Sequence, residues 1–77
     1  MDQSVFLEKV IEQFLDLDGE ITLDSNFREI GSYDSLTGMM IMVMIKDEFN
    51  IEITEGEYTS KKTVGELYDF VIQKQKS

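Results

Sequence analysis

The sequence contains no cysteine, histidine, proline or tryptophan among its 77 residues. Without cysteine it has neither a disulfide nor a thiolate nucleophile, and without histidine it lacks the commonest metal ligand and general base. These absences exclude an ordinary catalytic triad. A calcium loop fitted around Gly19 would put Phe14 at the first ligand position and Ser25 in place of the bidentate glutamate. We therefore predict that the protein is not an enzyme and that it holds no metal ion.

Basic residues are also scarce, with seven lysines and arginines against sixteen aspartates and glutamates and a net charge of −9. A polyanion is a poor ligand for nucleic acid or for an anionic membrane surface, so we expect neither partner. The longest apolar run, Met39 to Ile45, is far shorter than the roughly 20 residues that cross a bilayer. No positively charged signal segment opens the chain, and we expect a cytoplasmic monomer without membrane insertion.

The periodicity of apolar residues predicts an all-α fold, a small four-helix bundle of three main helices and one short helix in a single domain, residues 1–77. The first helix is predicted over residues 4–17, with Gly19 just past its end. The second is predicted over 35–49 with Asn50 as its stop, and a single turn over 54–58. The last opens at a Thr63–Glu66 capping box. The connection over 20–34 is too long to lie free, and its predicted anchors to the core are Ile21, Leu23, Phe27 and Ile30.

The second predicted helix is apolar on two sides. At about 100° per residue, one side, the predicted core side, carries Gly38, Ile41, Met42, Ile45 and Phe49. The other side carries Leu36, Met40, Val43 and Asp47. Apolar residues on that second side are unexpected in a helix with one buried face. Two interpretations stay open: they bind a partner protein, or they line an interior channel or pack under the long connection.

Asp34 and Ser35 stand at the start of this helix, and both are favoured N-cap residues. Capping alone is one explanation for the pair. A serine at a helix N-terminus also lies where unpaired N–H groups and the helix dipole favour a phosphate. A phosphodiester attached to Ser35 is therefore the second explanation.

The sequence resembles the acyl carrier protein family over nearly its whole length. The residues that carry the resemblance are the turn at Gly31, the tripeptide Asp34-Ser35-Leu36, Asp47-Glu48-Phe49 at the end of the second helix, Ile51-Glu52-Ile53, and Thr63-Val64. The tripeptide alone is common. Its placement in a short, acidic, helical chain makes the resemblance specific.

The resemblance implies that Ser35 bears 4′-phosphopantetheine, with Asp34 and Leu36 completing the site, and that acyl groups are held on this arm as thioesters. It implies that Asp34 helps a phosphopantetheinyl transferase to engage the site. The further partners would be acyl-loading, acyl-transfer or condensing enzymes of fatty-acid, polyketide or related lipid biosynthesis. If the fold contains a cavity for an acyl tail, the residues expected to border it are Ile41, Met42 and Ile45.

The sequence departs from the family around the site. Thr37, Met40 and Lys46 stand where acidic residues are common, and one extra residue lies between Gly31 and Asp34. We hypothesise a dedicated partner with a more apolar docking surface, because methionine adapts to varied partners. The predicted docking residues are Leu36, Met39, Met40, Val43, Asp47 and Glu48.

Gly38 is a further departure, since glycine weakens a helix interior. Its position on the predicted core side favours close packing against the first helix or the connection, with local flexibility as the alternative. Two other functions remain open. An aminoacyl or D-alanyl carrier would share the fold and the arm, whereas an unmodified interaction module would tolerate Ser35→Ala.

Overall fold

The computed structural model describes residues 2–14 and 19–76, which form four α-helices. The helices are α1 Gln3–Glu12, α2 Ser35–Phe49, α3 Glu55–Thr59 and α4 Val64–Lys76, and a 3₁₀ helix, Phe27–Glu29, lies in the connection before α2. The all-α prediction of three main helices and one short helix is confirmed. No helix in the described part of the chain combines the length and the apolar character that a membrane span needs.

Helix α1 is shorter than its sequence pattern predicts. It ends at Glu12 rather than at Leu17, because the N–H groups of Gln13 and Phe14 donate to carbonyls three residues back and tighten the last turn. Phe14 leaves the helix but stays buried. Its apolar character therefore serves the core and does not extend the helix. Leu17, with the rest of 15–18, lies outside the described residues.

The connection from Gly19 to α2 is anchored as predicted. Ile21 and Phe27 are buried, and Leu23 and Ile30 pack against the core while partly exposed. The sequence predicted that Gly19 directly follows the end of α1. Helix α1 ends at Glu12 instead, and Gly19 is not its C-terminal glycine. It adopts a φ of +117° within the connection, a backbone conformation that glycine tolerates best.

Backbone hydrogen bonds fasten this connection to the start of α4. The Gly65 N–H donates to the Leu23 carbonyl at 2.8 Å, and Asn26 forms an isolated antiparallel bridge with Thr63. A Cβ at Gly65 would lie 3.2 Å from the Leu23 oxygen, so the absence of a side chain permits this close approach. The connection is thus held by main-chain contacts and not only by its apolar anchors.

Helix α2 buries most of the side predicted to face the core. Gly38, Ile41, Ile45 and Phe49 are buried as expected, but Met42 is only half-buried and Met44 is buried without having been predicted. The correction has a simple cause. Because α2 is apolar around most of its circumference, its periodicity does not fix the direction of the core to within one residue.

Helix α3 is a single short helix with both halves of a capping box. The Thr54 hydroxyl accepts from the Glu57 N–H at 3.1 Å, and the Glu57 carboxylate accepts from the Thr54 N–H at 2.8 Å. The same carboxylate pairs with Lys74 of α4 at 2.8 Å. These bonds stabilise a helix that Gly56 and its shortness would otherwise leave weak.

The predicted capping box of α4 is present in part. The Thr63 hydroxyl accepts from the Glu66 N–H at 3.1 Å, as the sequence indicates. The Glu66 carboxylate accepts from the N–H of Lys62 instead of that of Thr63, at 3.0 Å. Both bonds still stabilise the first turn of α4.

All four helices and the connection contribute to one core. Phe6 of α1 packs edge-on against Phe49 of α2 and Tyr68 of α4, with ring centroids 5.8 and 5.4 Å apart. The buried hydrophobic residues are Phe6, Val10, Phe14, Ile21, Phe27, Ile41, Met44, Ile45, Phe49, Tyr58, Val64, Leu67 and Val71. This core fixes the start of α2 relative to α1 on one side and α3 on the other.

Candidate functional site

Ser35 is the first residue of α2, and the residue before it caps the helix. One carboxylate oxygen of Asp34 accepts from the Thr37 N–H at 2.9 Å and from the Thr37 hydroxyl at 3.0 Å. The hydrogen bonds from the Thr37 backbone and then its side chain lower the pKa of Asp34 below its ordinary value. The Asp34 carboxylate is therefore charged at neutral pH and committed to the helix N-terminus.

Ser35 itself is exposed and has no capping function, because Asp34 fills that position. Its position at the first turn of α2 is the one that favours a negatively charged group. An exposed hydroxyl here is accessible to an enzyme and leaves room for a covalent arm. The geometry therefore fits a phosphodiester-linked group.

A groove with a volume of about 470 Å³ lies between α1 and α2, and we call it the α1–α2 groove. From α2 it is lined by all six residues that the sequence predicts for partner docking, together with Met44: Leu36, Met39, Met40, Val43, Met44, Asp47 and Glu48. Leu36, Met39 and Val43 are 51%, 63% and 57% exposed. Because these side chains face solvent, they do not line an interior channel.

The rim of the α1–α2 groove carries charge on both helices. Lys9 of α1 lies 3.7 Å from the Glu48 carboxylate, and Glu12 and Asp47 line the groove on either side. Lys46, which stands at a position where the family is commonly acidic, pairs with Glu52 at 3.1 Å and lies outside this groove. The α1–α2 groove thus has an apolar floor and a rim that is mainly acidic.

A second groove, of about 370 Å³, lies between α2 and α3 and is called the α2–α3 groove. It is lined by Ser35, Gly38 and Met42 of α2, Glu55, Tyr58 and Thr59 of α3, and Tyr33 of the connection. Met39 lines both grooves and separates them. Ser35 therefore stands at the edge of one groove and next to the other.

Two tyrosines meet in the α2–α3 groove. The Tyr33 and Tyr58 hydroxyl oxygens are 3.0 Å apart, within hydrogen-bond distance. Burial, and then the hydrogen bond with Tyr33, raises the pKa of the Tyr58 phenol well above its usual range. The Tyr58 hydroxyl is thus neutral at any physiological pH.

The predicted close packing of Gly38 has its partner in Tyr33 of the connection. A Cβ at Gly38 would lie 2.5 Å from the Tyr33 hydroxyl oxygen and 3.8 Å from the Tyr58 ring. Neither tyrosine was predicted as part of the site. The signal in the sequence was the glycine itself, an unfavourable residue in an otherwise strongly apolar helix.

The burial of Thr37 is a further feature near Ser35 that the sequence analysis did not predict. Its side chain is 2% exposed and bonded to Asp34, so it is not part of an exposed docking surface. The three residues expected to border an acyl-tail cavity do not lie together. Ile41 and Ile45 are fully buried in the core, whereas Met42 lines the α2–α3 groove.

Comparison with known proteins agrees with the geometry of this site. A family model described as the phosphopantetheine attachment site matches residues 6–71. The chain is 33% identical to an acyl carrier protein of Thermosynechococcus vestitus over 96% of each chain. It is 34% identical to an acyl carrier protein of Rickettsia bellii, over 83% of this chain and 79% of that protein. No solved structure matches the chain.

A relative named for a polyketide synthase has a similar level of identity. The chain is 32% identical to polyketide-8 synthase acyl carrier protein 2 of Streptomyces avermitilis, over 88% of this chain and 79% of that protein. The chain therefore belongs to the family of phosphopantetheine-binding carrier proteins. Its cofactor is phosphopantetheine, and the protein is a carrier and not an enzyme.

Proposed function

We propose that Ser35 is the attachment residue for 4′-phosphopantetheine and that the protein holds acyl groups on this arm for partner enzymes. The observation that carries the proposal is the separation of tasks at the start of α2. Asp34 caps the helix, while the adjacent Ser35 hydroxyl stays exposed at the positive end of the helix dipole. Capping therefore does not explain Ser35, and an attached phosphodiester does.

Intact mass spectrometry tests the attachment. The wild type and Ser35→Ala are incubated with coenzyme A and a broad-specificity phosphopantetheinyl transferase. We expect the wild type to gain one phosphopantetheinyl group and Ser35→Ala to gain none. Ser60→Ala, which removes an exposed serine at the end of α3, is the matched control and is expected to be modified like the wild type.

The contrary outcome is equally clear. If Ser35→Ala is modified, the arm is attached to a residue other than Ser35. No modification of the wild type, by this transferase or by one from the same organism, would favour the unmodified interaction module.

The arm supplies a terminal thiol on which an acyl group is held as a thioester. The residues of the chain have different tasks: Ser35 anchors the arm, Asp34 fixes the helix turn that presents it, and the α1–α2 groove contacts the partner enzyme. Support for the last task comes from the three exposed apolar side chains Leu36, Met39 and Val43, which lie within two turns of Ser35. Exposed apolar patches of this kind mark interaction sites.

A charge placed in the groove tests docking. Met40→Glu and Val43→Glu are expected to lower the rate at which the cognate loading enzyme charges the protein, because a carboxylate would be desolvated on binding. Val5→Glu is the matched control, since Val5 is exposed on α1 and does not line the groove. Equal loading rates for all three variants would contradict docking through this groove.

The cargo belongs to fatty-acid, polyketide or related lipid biosynthesis in this proposal. Its support is the resemblance to acyl carrier proteins, including one named for a polyketide synthase. Parallel loading assays with acyl groups and with amino acids decide the matter. Loading with D-alanine or another amino acid in preference to acyl groups would replace the acyl carrier with an aminoacyl carrier.

A further inference from the structure

Two phenol hydroxyls meet in the lining of the α2–α3 groove, which also includes Ser35. Ser35 and Gly38 lie three residues apart and so share one face of α2. The Tyr33 hydroxyl occupies the space that a Cβ at Gly38 would need, and it meets the Tyr58 hydroxyl at 3.0 Å. The tyrosine pair, Tyr33 and Tyr58, therefore forms the floor of the groove within one helical turn of the attachment residue.

Packed rings hold this floor in place. The ring of Phe27 lies behind both tyrosines, with centroids 6.0 Å from Tyr33 and 5.9 Å from Tyr58. The Arg28 guanidinium lies 4.9 Å from the centre of the Tyr58 ring and donates to the Tyr58 carbonyl. Phe27 is fully buried. A ring of the apolar core therefore lies against the tyrosine pair.

The pair has one more proton than its own hydrogen bond uses. Each hydroxyl has one O–H donor, and the bond between the two oxygens consumes only one of them. The Tyr58 hydroxyl keeps its proton, because burial raises the pKa of this phenol. One O–H donor thus remains for a group in the groove. A methylene chain gives it no acceptor, whereas a carbonyl or hydroxyl oxygen does.

We infer that the Tyr33–Tyr58 pair selects short acyl groups that bear an oxygen near the thioester, such as 3-oxoacyl and 3-hydroxyacyl groups, over long saturated chains. The apolar walls formed by Met39 and Met42 accept a few carbon atoms, and the hydroxyl floor accepts the oxygen. At this floor a long saturated chain meets the tyrosine hydroxyls and the packed Phe27 ring, so its distal carbon atoms stay in solvent. This inference rests on attachment at Ser35.

Thermal unfolding of the acylated protein tests the inference. Protein bearing the arm is loaded with butanoyl, 3-oxobutanoyl or decanoyl groups, and each form is compared with the arm alone. We expect Tm to be higher for 3-oxobutanoyl than for butanoyl by about 4–8 °C, the shift that one hydrogen bond gives a domain of this size. Decanoyl is expected to raise Tm no more than butanoyl. A Tm that rises further from butanoyl to decanoyl would overturn the inference.

The double variant Tyr33→Phe/Tyr58→Phe removes both hydroxyls and keeps both rings. We expect it to lose the Tm difference between 3-oxobutanoyl and butanoyl. Tyr68→Phe, which removes a hydroxyl from a residue that does not line this groove, is the control and is expected to keep the difference. Persistence of the difference in the double variant would overturn the role of the pair. The same conclusion would follow if the double substitution lowered the Tm of the form that carries the arm alone as much as it lowers the Tm of the 3-oxobutanoyl form.

Failure of this inference differs from failure of the proposed function. Intact mass shows first whether Ser35 carries the arm. If it does not, the proposed function fails and the inference falls with it. If the arm is attached and Tm rises with the length of the acyl chain, the proposed function stands. Only the inferred selection of oxygen-bearing acyl groups is then wrong. Should the double variant fail to fold, the length series in the wild type still decides the question.

Discussion

Asp34 holds the first turn of α2 through one carboxylate oxygen, and this bond makes the start of the helix sensitive to acid. Its two hydrogen bonds, both to Thr37, favour the charged carboxylate and lower its pKa. A lowered pKa means that the stabilisation is present at neutral pH and is lost as pH falls through the pKa of the folded protein. The residue beside Ser35 is thus a structural group as well as a candidate recognition group.

Asp34→Asn separates these two roles, because asparagine also caps helices but does not ionise. At neutral pH we expect Tm to fall in the order wild type, Asp34→Asn, Asp34→Ala. The difference between wild type and Asp34→Asn should vanish as pH falls through the lowered pKa of Asp34. Thermal unfolding across pH 3–7 checks this, and a difference independent of pH would contradict the charge-dependent part.

Gly38 is expected to resist the substitution that usually stabilises a helix. Gly38→Ala would place a Cβ 2.5 Å from the Tyr33 hydroxyl, and the packed Tyr33 ring has little freedom to move. We expect a loss of about 1–3 kcal/mol in the free energy of unfolding.

Gly56→Ala is the matched control for that change. Its Cβ would meet only the Thr54 hydroxyl, at an ordinary 3.9 Å, and Gly56 is exposed within α3. Here we expect a gain of about 0.4–1 kcal/mol. Denaturant unfolding measures both, and a gain at Gly38 as well would show that close packing is the wrong explanation for that glycine.

At the scale of single residues, the sequence predicts the chemistry at the site better than its packing. Asp34 and Ser35 could be located because capping depends on neighbours along the chain. Tyr33 and Tyr58 could not, because they come from separate segments that meet only in the folded protein. The burial of Thr37 was not predicted for a related reason: in a helix apolar on most sides, side-chain type does not reveal which side the core covers.

Among the elements, α3 depends most on side chains from outside itself. Its capping carboxylate, Glu57, also pairs with Lys74, and its Tyr58 carbonyl accepts from Arg28. The hydrogen bond from Lys74, followed by that from the Thr54 backbone, lowers the pKa of Glu57. Its contribution to stability is therefore present at neutral pH and lost in acid.

Glu57→Gln keeps an acceptor for the Thr54 N–H but removes the charge that faces Lys74. We expect faster amide hydrogen exchange in α3, with little change in α1 and α4, because the substitution loosens a local contact. Glu52→Gln is the control, since the Glu52 side chain is 80% exposed in its pair with Lys46. Uniformly faster exchange throughout the chain would mean that Glu57 stabilises the whole fold instead.

A helix end was predicted correctly where a local residue signal marks it, and wrongly where no such signal is present. Asn50, predicted as the stop for α2, adopts the left-handed conformation with φ of +57°, and the short helix near 54–58 is present. The end of α1 was wrong because Phe14 continues the helical spacing of apolar residues after the helix has stopped. In that case the apolar pattern records burial and not secondary structure.

Over the whole molecule, charge opposes folding. The net charge is −9, and the Lys9–Glu48, Lys46–Glu52 and Lys74–Glu57 ion pairs lie at the surface, where such pairs contribute little. Self-repulsion of this kind weakens as salt screens it, over about 10 Å at 0.1 M.

We therefore expect Tm to rise when sodium chloride is increased from a few millimolar to about 0.15 M. Sodium perchlorate at equal ionic strength serves as the control for specific ion effects. A Tm that falls in both salts would show that the surface ion pairs outweigh the repulsion.

Two walls flank Ser35 on the α3 side, namely the connection before α2 and helix α3. Different kinds of hydrogen bond hold these two walls in place. Main-chain hydrogen bonds from Leu23 and Asn26 tie the connection to α4, whereas α3 is joined to its neighbours through side chains. Under the proposed function, we expect α3 and not the connection to move when cargo enters or leaves the α2–α3 groove. A partner enzyme bound in the α1–α2 groove, as proposed, would then contact a part of the carrier that does not move with the cargo.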